Sequence, residues 1–302
     1  MNILFSFMVA TILFGHVTSR SIDVSTVKGQ WEYLEVHGHA LKLPAGQQPN
    51  PQQLQAAIRD FQRFFKLEVT GFMNPETYEV MQWPRCGSSD KNLPVAAFTL
   101  GDDKWGKSQV TWSLNTVEPG VDRNRVRKII GEALQAWQMY VKPKITEAPQ
   151  GYDGDIRISF LTSDSGGEHG DGYPFYDHTV AHAFYPGSRD IAGDVHFNLK
   201  KEFSYSDNVP YNVYSVKFIA VHELGHALGL DHSGEKYSVM YPLVKRGVNF
   251  ITLHPDDIAG MLTRYGNFIS GSSKNAKCGA PLVLVWTFIT FMFTFWNNNK
   301  LL

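Results

Sequence analysis

The stretch Val221-His222-Glu223-Leu224-Gly225-His226-Ala227-Leu228-Gly229-Leu230-Asp231-His232-Ser233 constrains this chain more than any other. On a helix, His222 and His226 stand one turn apart on the same face. Two neutral imidazoles at that spacing suit a tetrahedral zinc, which favours nitrogen and sulfur. Glu223 lies one step round, within reach of a water at such a metal as general base. Gly229 accepts the left-handed conformation and stops the helix. The turn then returns His232 as a third ligand. Three protein ligands leave one position open, which marks a catalytic rather than a structural zinc. A bare H-E-x-x-H arises by chance on amphipathic helices, but the longer pattern with glycine at its turn is far more specific. Downstream, Ser238-Val239-Met240-Tyr241-Pro242 offers a tight turn with a methionine to pack beneath the metal.

Together these two elements resemble the metzincin clan. Ser233 directly after the third histidine resembles its matrix metalloproteinase (matrixin) branch. The resemblance implies an α+β fold: a metzincin catalytic domain with a twisted mixed sheet and three helices, preceded by a small all-α propeptide domain. It also implies a zinc metalloendopeptidase, in which Glu223 takes a proton from the attacking water and passes it to the leaving amine.

Upstream, residues 20–97 are expected to form the propeptide, and its part from about Arg20 to Met81 reads as short helices. Trp31, Tyr33, Leu34 and Val36 cluster, and Leu54, Ile58, Phe61 and Phe65 recur on one helical face. Asn74 and Pro75 start a further helix as cap and first residue. Next comes Pro84-Arg85-Cys86-Gly87-Ser88-Ser89-Asp90, which resembles the matrixin cysteine switch, with Ser89 in place of its second proline. A thiolate from Cys86 in the open zinc position displaces water and holds a latent enzyme, because zinc lowers the thiol pKa. Arg85 is expected to pair with Asp90, and Ser89 to loosen the loop. No R-x-[KR]-R precedes Phe98, so activation calls for another protease or autolysis within residues 91–98.

The catalytic domain is expected over 98–266. Val110–Leu114 and Ile156–Phe160 read as strands, Val126 to Val141 as an amphipathic helix, Val216–Leu228 as the zinc helix and Pro255 onward as a last helix. His169 to Phe203 reads as irregular and rich in His and Asp. Of Asp256 and Asp257, one is implied by the resemblance as acceptor of the mature chain's new ammonium.

The resemblance further implies a closed structural zinc site of His169, Asp171, His182 and His196. Calcium is expected with a degraded site. The loop Pro174-Phe175-Tyr176-Asp177 departs from the family pattern, and Asn198 and Lys201 replace its acidic pair. A lysine is the wrong charge for a cation that wants several hard oxygens, so that site is expected to be weakened or lost; a second calcium site, of Asp194 and nearby carbonyls, stays open beside it. Phe218, Val221 and Leu243 are assigned to the substrate pocket by the same resemblance. The bulk of Phe218 points to a shallow-to-medium pocket that prefers Leu or Met, with packing into the core as the alternative role for this side chain.

Charge and the chain ends set the compartment. Among 302 residues, lysine plus arginine nearly balances aspartate plus glutamate, for a formal net charge of -1. Nothing there argues for nucleic acid or a polybasic membrane surface. Residues 1–19 read as a secretory signal peptide, with an apolar run before small residues. Residues 267–302 read as a polar spacer and a hydrophobic anchor signal. The GPI reading, with attachment near Ser270 to Ser272, is favoured over a transmembrane helix or a trimmed, released form. No hemopexin-like domain is legible, so the layout resembles that of matrilysins. The expected partners are extracellular matrix proteins, an activating protease and tissue-inhibitor-type proteins, at the cell surface or in the matrix. Two other classes fit less well: an idle zinc-binding adhesion module, opposed by the intact Glu223, and a non-peptidase zinc hydrolase, opposed by the switch and the methionine turn.

Overall fold

The computed structural model describes residues 21–91, 104–162, 173–248 and 251–266. Both ends of the chain, with the expected leader and anchor, lie outside the described residues, as do His169 and Asp171. Among the described residues, no helix is long and apolar enough to cross a membrane.

Three helices come first: α1 (Val27–Val36), α2 (Pro51–Phe64) and α3 (Pro75–Gln82). Each starts at a side-chain cap. Thr26, Asn50 and Asn74 each accept from the backbone N–H of the third helical residue, and Pro51 and Pro75 occupy first positions where no amide donor is needed. Ile58 and Phe61 of α2 pack with Tyr33, Leu34, Phe65 and Met81 into a core of their own. Gln62 is fully buried in it, accepting from the Gly71 amide at 2.8 Å and donating to Thr77 and to the Phe72 carbonyl. That polar knot fixes the tight Thr70–Phe72 turn against α2.

Strand β1 (Arg85–Cys86) then leaves the helices and joins a second unit. This contains β2 (Gln109–Leu114), α4 (Arg123–Gln138), β3 (Lys144–Glu147), β4 (Ile156–Leu161), β5 (Thr179–Ala183), β6 (Val195–Asn198), β7 (Phe203–Ser204), β8 (Tyr214–Ser215), α5 (Val216–Ala227) and α6 (Pro255–Tyr265). The main sheet runs β1-β5-β6-β4-β2-β3. Its pairings are parallel except β5 against β6, so the sheet is mixed. Helices α4 and α5 pack together with the sheet around Trp137, Ile130, Ile158, Phe197 and Leu224, all almost fully buried. The α+β expectation and the all-helical leading unit both hold.

One expectation needs correcting. The stretch around His182 and His196 is not wholly irregular: both histidines sit on strands, β5 and β6, directly opposite one another. Every residue of those strands is buried, so the apolar–polar alternation that would announce a strand is missing.

Candidate active site

Helix α5 begins at Ser215, whose hydroxyl accepts from the Phe218 amide at 3.2 Å. It ends as its glycine foretold. Gly229 adopts φ 107°, the Leu230 amide donates back to the Gly225 carbonyl at 2.8 Å, and the Gly229 amide to His226 at 2.7 Å. The last carbonyls are taken by distant side chains: the Trp105 indole donates to Ala227 at 2.8 Å, and the Tyr265 hydroxyl to Leu228 at 2.7 Å. The helix end is thereby satisfied in the interior.

Each histidine is oriented through its Nδ1. His222 donates to the Val239 carbonyl and His226 to the Leu230 carbonyl, both at 2.6 Å, and His232 to the Asp90 carboxylate at 2.8 Å. Carbonyls only accept, so these contacts place the protons on Nδ1 and leave the Nε2 lone pairs facing inward. The Nε2 atoms of His222 and His232 face one another across 3.2 Å. Among the described residues, Nε2 of His226 and Oε1 of Glu223 are buried without a hydrogen-bond partner. Burial holds all three imidazoles below their ordinary pKa, His222 at about 3, so they are neutral and fit to ligate.

Sγ of Cys86 completes the group. The four ligand atoms of Cys86, His222, His226 and His232 lie within 4.8 Å of one another. Converging imidazole lone pairs and a soft sulfur, all buried, form a donor set that fits zinc, and among the described residues nothing bonds to Nε2 of His226. Beside it, burial pushes the Glu223 carboxyl up to about 8, and the Cys86 thiol lies 3.4 Å from its Oε2. Burial, reinforced by Glu223, also pushes the thiol up.

The turn after the third histidine behaves as expected. Met240 is buried, and a Cβ at Gly225 would meet its sulfur at 2.4 Å, so the methionine presses against α5 where the helix carries no side chain. Asp257 fixes the turn from α6. Its carboxylate accepts from the Ser238 hydroxyl and from the amides of Val239 (2.9 Å), Met240 (3.2 Å) and His254 (2.7 Å).

Cys86 is delivered by an extended segment clamped on both sides. Arg85 and Gly87 donate through their amides to the carbonyls of His178 and Ala181. Cys86 donates to Pro242, and Val244 to Pro84, with Arg85 bridged to Leu243. Sequence reasoning foresaw the Arg85–Asp90 pair, which is buried and in contact, but missed how far it extends. Asp90 also meets His39 at 2.9 Å as well as His232, and His39 meets Asp60 at 2.9 Å. Burial works to raise the Asp90 carboxyl, but Arg85, His232 and His39 outweigh it and hold the group well below the usual carboxylate range. The loop that Ser89 was expected to loosen is braced: Ser89 donates to the Lys91 carbonyl at 2.7 Å, and the Asp90 amide to His37 at 3.0 Å. His37 and His178 meet through their Nε2 atoms at 3.0 Å across the same boundary.

The remaining predicted residues divide. His182 and His196 are brought together, Nε2 to Nδ1 at 3.1 Å, while their expected partners His169 and Asp171 lie outside the described residues. Phe218 is half-buried against the main core, and Val221 is buried within it, its carbonyl accepting from the Trp137 indole at 2.9 Å. Leu243 packs with Phe65 and its neighbours in the core of the helical unit, so that unit covers it. Both oxygens of Asp194 are engaged by Arg157, at 2.7 and 2.9 Å.

Comparison with known proteins agrees with this geometry. The family described as Matrixin matches residues 104–266, and one described as a putative peptidoglycan binding domain matches 33–81. Human matrilysin is 33% identical over 251 residues, which span 81% of this chain and 89% of matrilysin. Human matrix metalloproteinase-20 is 37% identical over 69% of this chain and 41% of its own length. Human neutrophil collagenase is 33% identical over 83% of this chain and 51% of its own length. A buried three-histidine cluster with Glu223 beside it, on a sheet-and-helix unit that the family spans from end to end, places the chain in the matrixin family of zinc metalloendopeptidases.

Proposed function

We propose that the chain is a latent extracellular endopeptidase, held inactive by Cys86 and released by cleavage within residues 91–98. The observation that carries this reading is the convergence of Cys86 with His222, His226 and His232, together with the unpartnered Glu223 oxygen. Zinc held by the three histidines would supply a Lewis acid that polarises the scissile carbonyl and makes water a nucleophile near neutral pH. Glu223 accepts the proton of the attacking water and delivers it to the leaving amine. Its raised affinity for a proton suits both halves of that task.

A substrate strand takes the lane that Arg85–Cys86 fills in the latent chain, between β5 and the segment around Leu243. Exposed main-chain donors and acceptors on both sides give such a lane its affinity, and side-chain pockets give selectivity. Phe218, Val221 and Leu243 set that pocket, in favour of Leu or Met. His169, Asp171, His182 and His196 hold a structural zinc that pins the β5–β6 edge. Asp257 is committed to the methionine turn, whereas Asp256 accepts from the Ser233 hydroxyl at 2.5 Å through one oxygen, which favours Asp256 as the acceptor of the mature chain's ammonium. The substrates are extracellular matrix or other extracellular proteins, and tissue-inhibitor-type proteins compete for the same cleft. Residues 267–302 tether the enzyme to the cell surface, through a GPI anchor in preference to a transmembrane helix. Phospholipase release from cells tests that part.

The test of the chemistry is Glu223→Gln in the activated enzyme, assayed on a quenched peptide. Zinc is expected to stay bound while turnover falls by about 10²–10⁴-fold. Retained turnover would remove Glu223 from the mechanism.

A further inference from the structure

Calcium fits the described residues poorly, and the reason is visible at two loops. The first leads from Pro174 into β5. Lys201 donates its ammonium to the Asp177 carbonyl, and Asn198 donates its amide to the Thr179 carbonyl at 2.8 Å. Asn198 is itself held, its side-chain oxygen accepting from the Lys200 amide at 3.0 Å. The second loop leads into β6. Arg157 grips both oxygens of the buried Asp194, and its Nη2 also donates to the Asp190 carbonyl. One guanidinium thus spans a carboxylate and a loop carbonyl.

In both places the acceptors are of the kind that calcium gathers, carbonyl oxygens and a carboxylate. In both places the charge is supplied from within the chain. Lys201 is half-buried, and burial lowers its pKa, as expected of an ammonium that has given up water for protein oxygens. A divalent ion at either loop would have to displace a cation already bonded there and bear its repulsion.

We propose that Lys201 and Arg157 replace bound calcium at these two loops, so that the fold requires zinc but not calcium. On this proposal Asp194 holds no calcium ion, because its carboxylate is neutralised by a bidentate arginine. The proposal concerns the scaffold and stands whether or not Glu223 cleaves peptides.

The test is thermal unfolding of the full-chain zymogen in zinc buffer, followed by tryptophan fluorescence as calcium chloride is added. The expected result is a Tm that moves by less than about 1 °C up to millimolar calcium, whereas a site filled at 100 times its Kd would raise it by roughly 5–10 °C. Asn198→Asp combined with Lys201→Glu should convert the first loop into a calcium site, with a Tm lowered in zinc alone and restored by calcium. Arg157→Met should lower Tm by about 2–6 °C at every calcium concentration. If the double variant does not fold, the wild-type titration decides alone. A wild-type Tm that climbs several degrees with calcium, or an Arg157→Met variant as stable as wild type, overturns the proposal.

Discussion

The cleft beneath α5 and the loops that flank β5 and β6 solve the same problem in opposite ways. Both gather acceptors: those of the cleft are buried, whereas at the loops the buried Thr179 carbonyl and Asp194 carboxylate stand beside the carbonyls of the exposed Asp177 and Asp190. In the cleft, Nε2 of His226 and Oε1 of Glu223 have no partner among the described residues, and two further lone pairs meet across 3.2 Å. At the loops, Lys201, Asn198 and Arg157 reach the acceptors and bond to them. Unsatisfied buried polar atoms are expensive, so a fold tolerates them where something from outside completes them. The difference teaches where this protein depends on a metal and where it has made itself independent of one.

If the cleft is completed by zinc and guarded by Cys86, Cys86→Ser has the largest effect. The unprocessed chain should hydrolyse a quenched peptide at a rate near that of the activated enzyme. A variant that stays latent would show that packing of the helical unit, not the thiol, closes the site. Next comes Asp90→Ala, which leaves Arg85 buried without its counter-ion and His232 without its orienting carboxylate. A cost of about 3–5 kcal/mol to docking of the helical unit is expected, read as a lowered Tm and spontaneous processing. Asp257→Asn should cost about 2–3 kcal/mol, because it turns an amide donor towards the turn amides it now accepts from. A change in Tm with unaltered zinc content would confine the damage to the methionine turn.

The smallest effect concerns pH. Burial, with Arg85 and Lys201 nearby, lowers His178 to about 3, and burial with Arg85 and His178 lowers His37 well below the usual histidine value. A histidine depressed in the fold contributes stability that is whole above its unfolded pKa near 6.5. That stability drains away as pH falls towards the folded value. For His178 the loss at pH 5 is about 2 kcal/mol. Acid should therefore loosen the helical unit between pH 6.5 and 3, and His178→Phe should flatten that slope. Since the zinc ligands also titrate in acid, the comparison of the two slopes is what counts. Equal slopes would remove His178 from the clamp.

Much of the cleft was legible because its signals are local. The four-residue spacing of His222 and His226, the glycine at 229 and the methionine turn all lie within a short run of chain, and helical geometry converts that spacing into position. Cys86 was legible through the company of Arg85 and Asp90. The reach of Asp90 to His39 and His232 was not, because those contacts span 51 and 142 residues. Nothing in local spacing reports a contact that only the docking of two units creates. Strands β5 and β6 stayed hidden for a different reason: buried on both faces, they carry no alternation. Lys201 lies between these cases. The sequence showed a charge unsuited to calcium, but only the fold reveals that the ammonium sits on the Asp177 carbonyl.

The most direct test of the contrast between cleft and loops is the metal content of the full chain. The protein would be dialysed against zinc and calcium together, passed through a desalting column and measured by plasma mass spectrometry. The account predicts that zinc is retained and calcium is not. Stoichiometric calcium, or a folded chain without zinc, would contradict it.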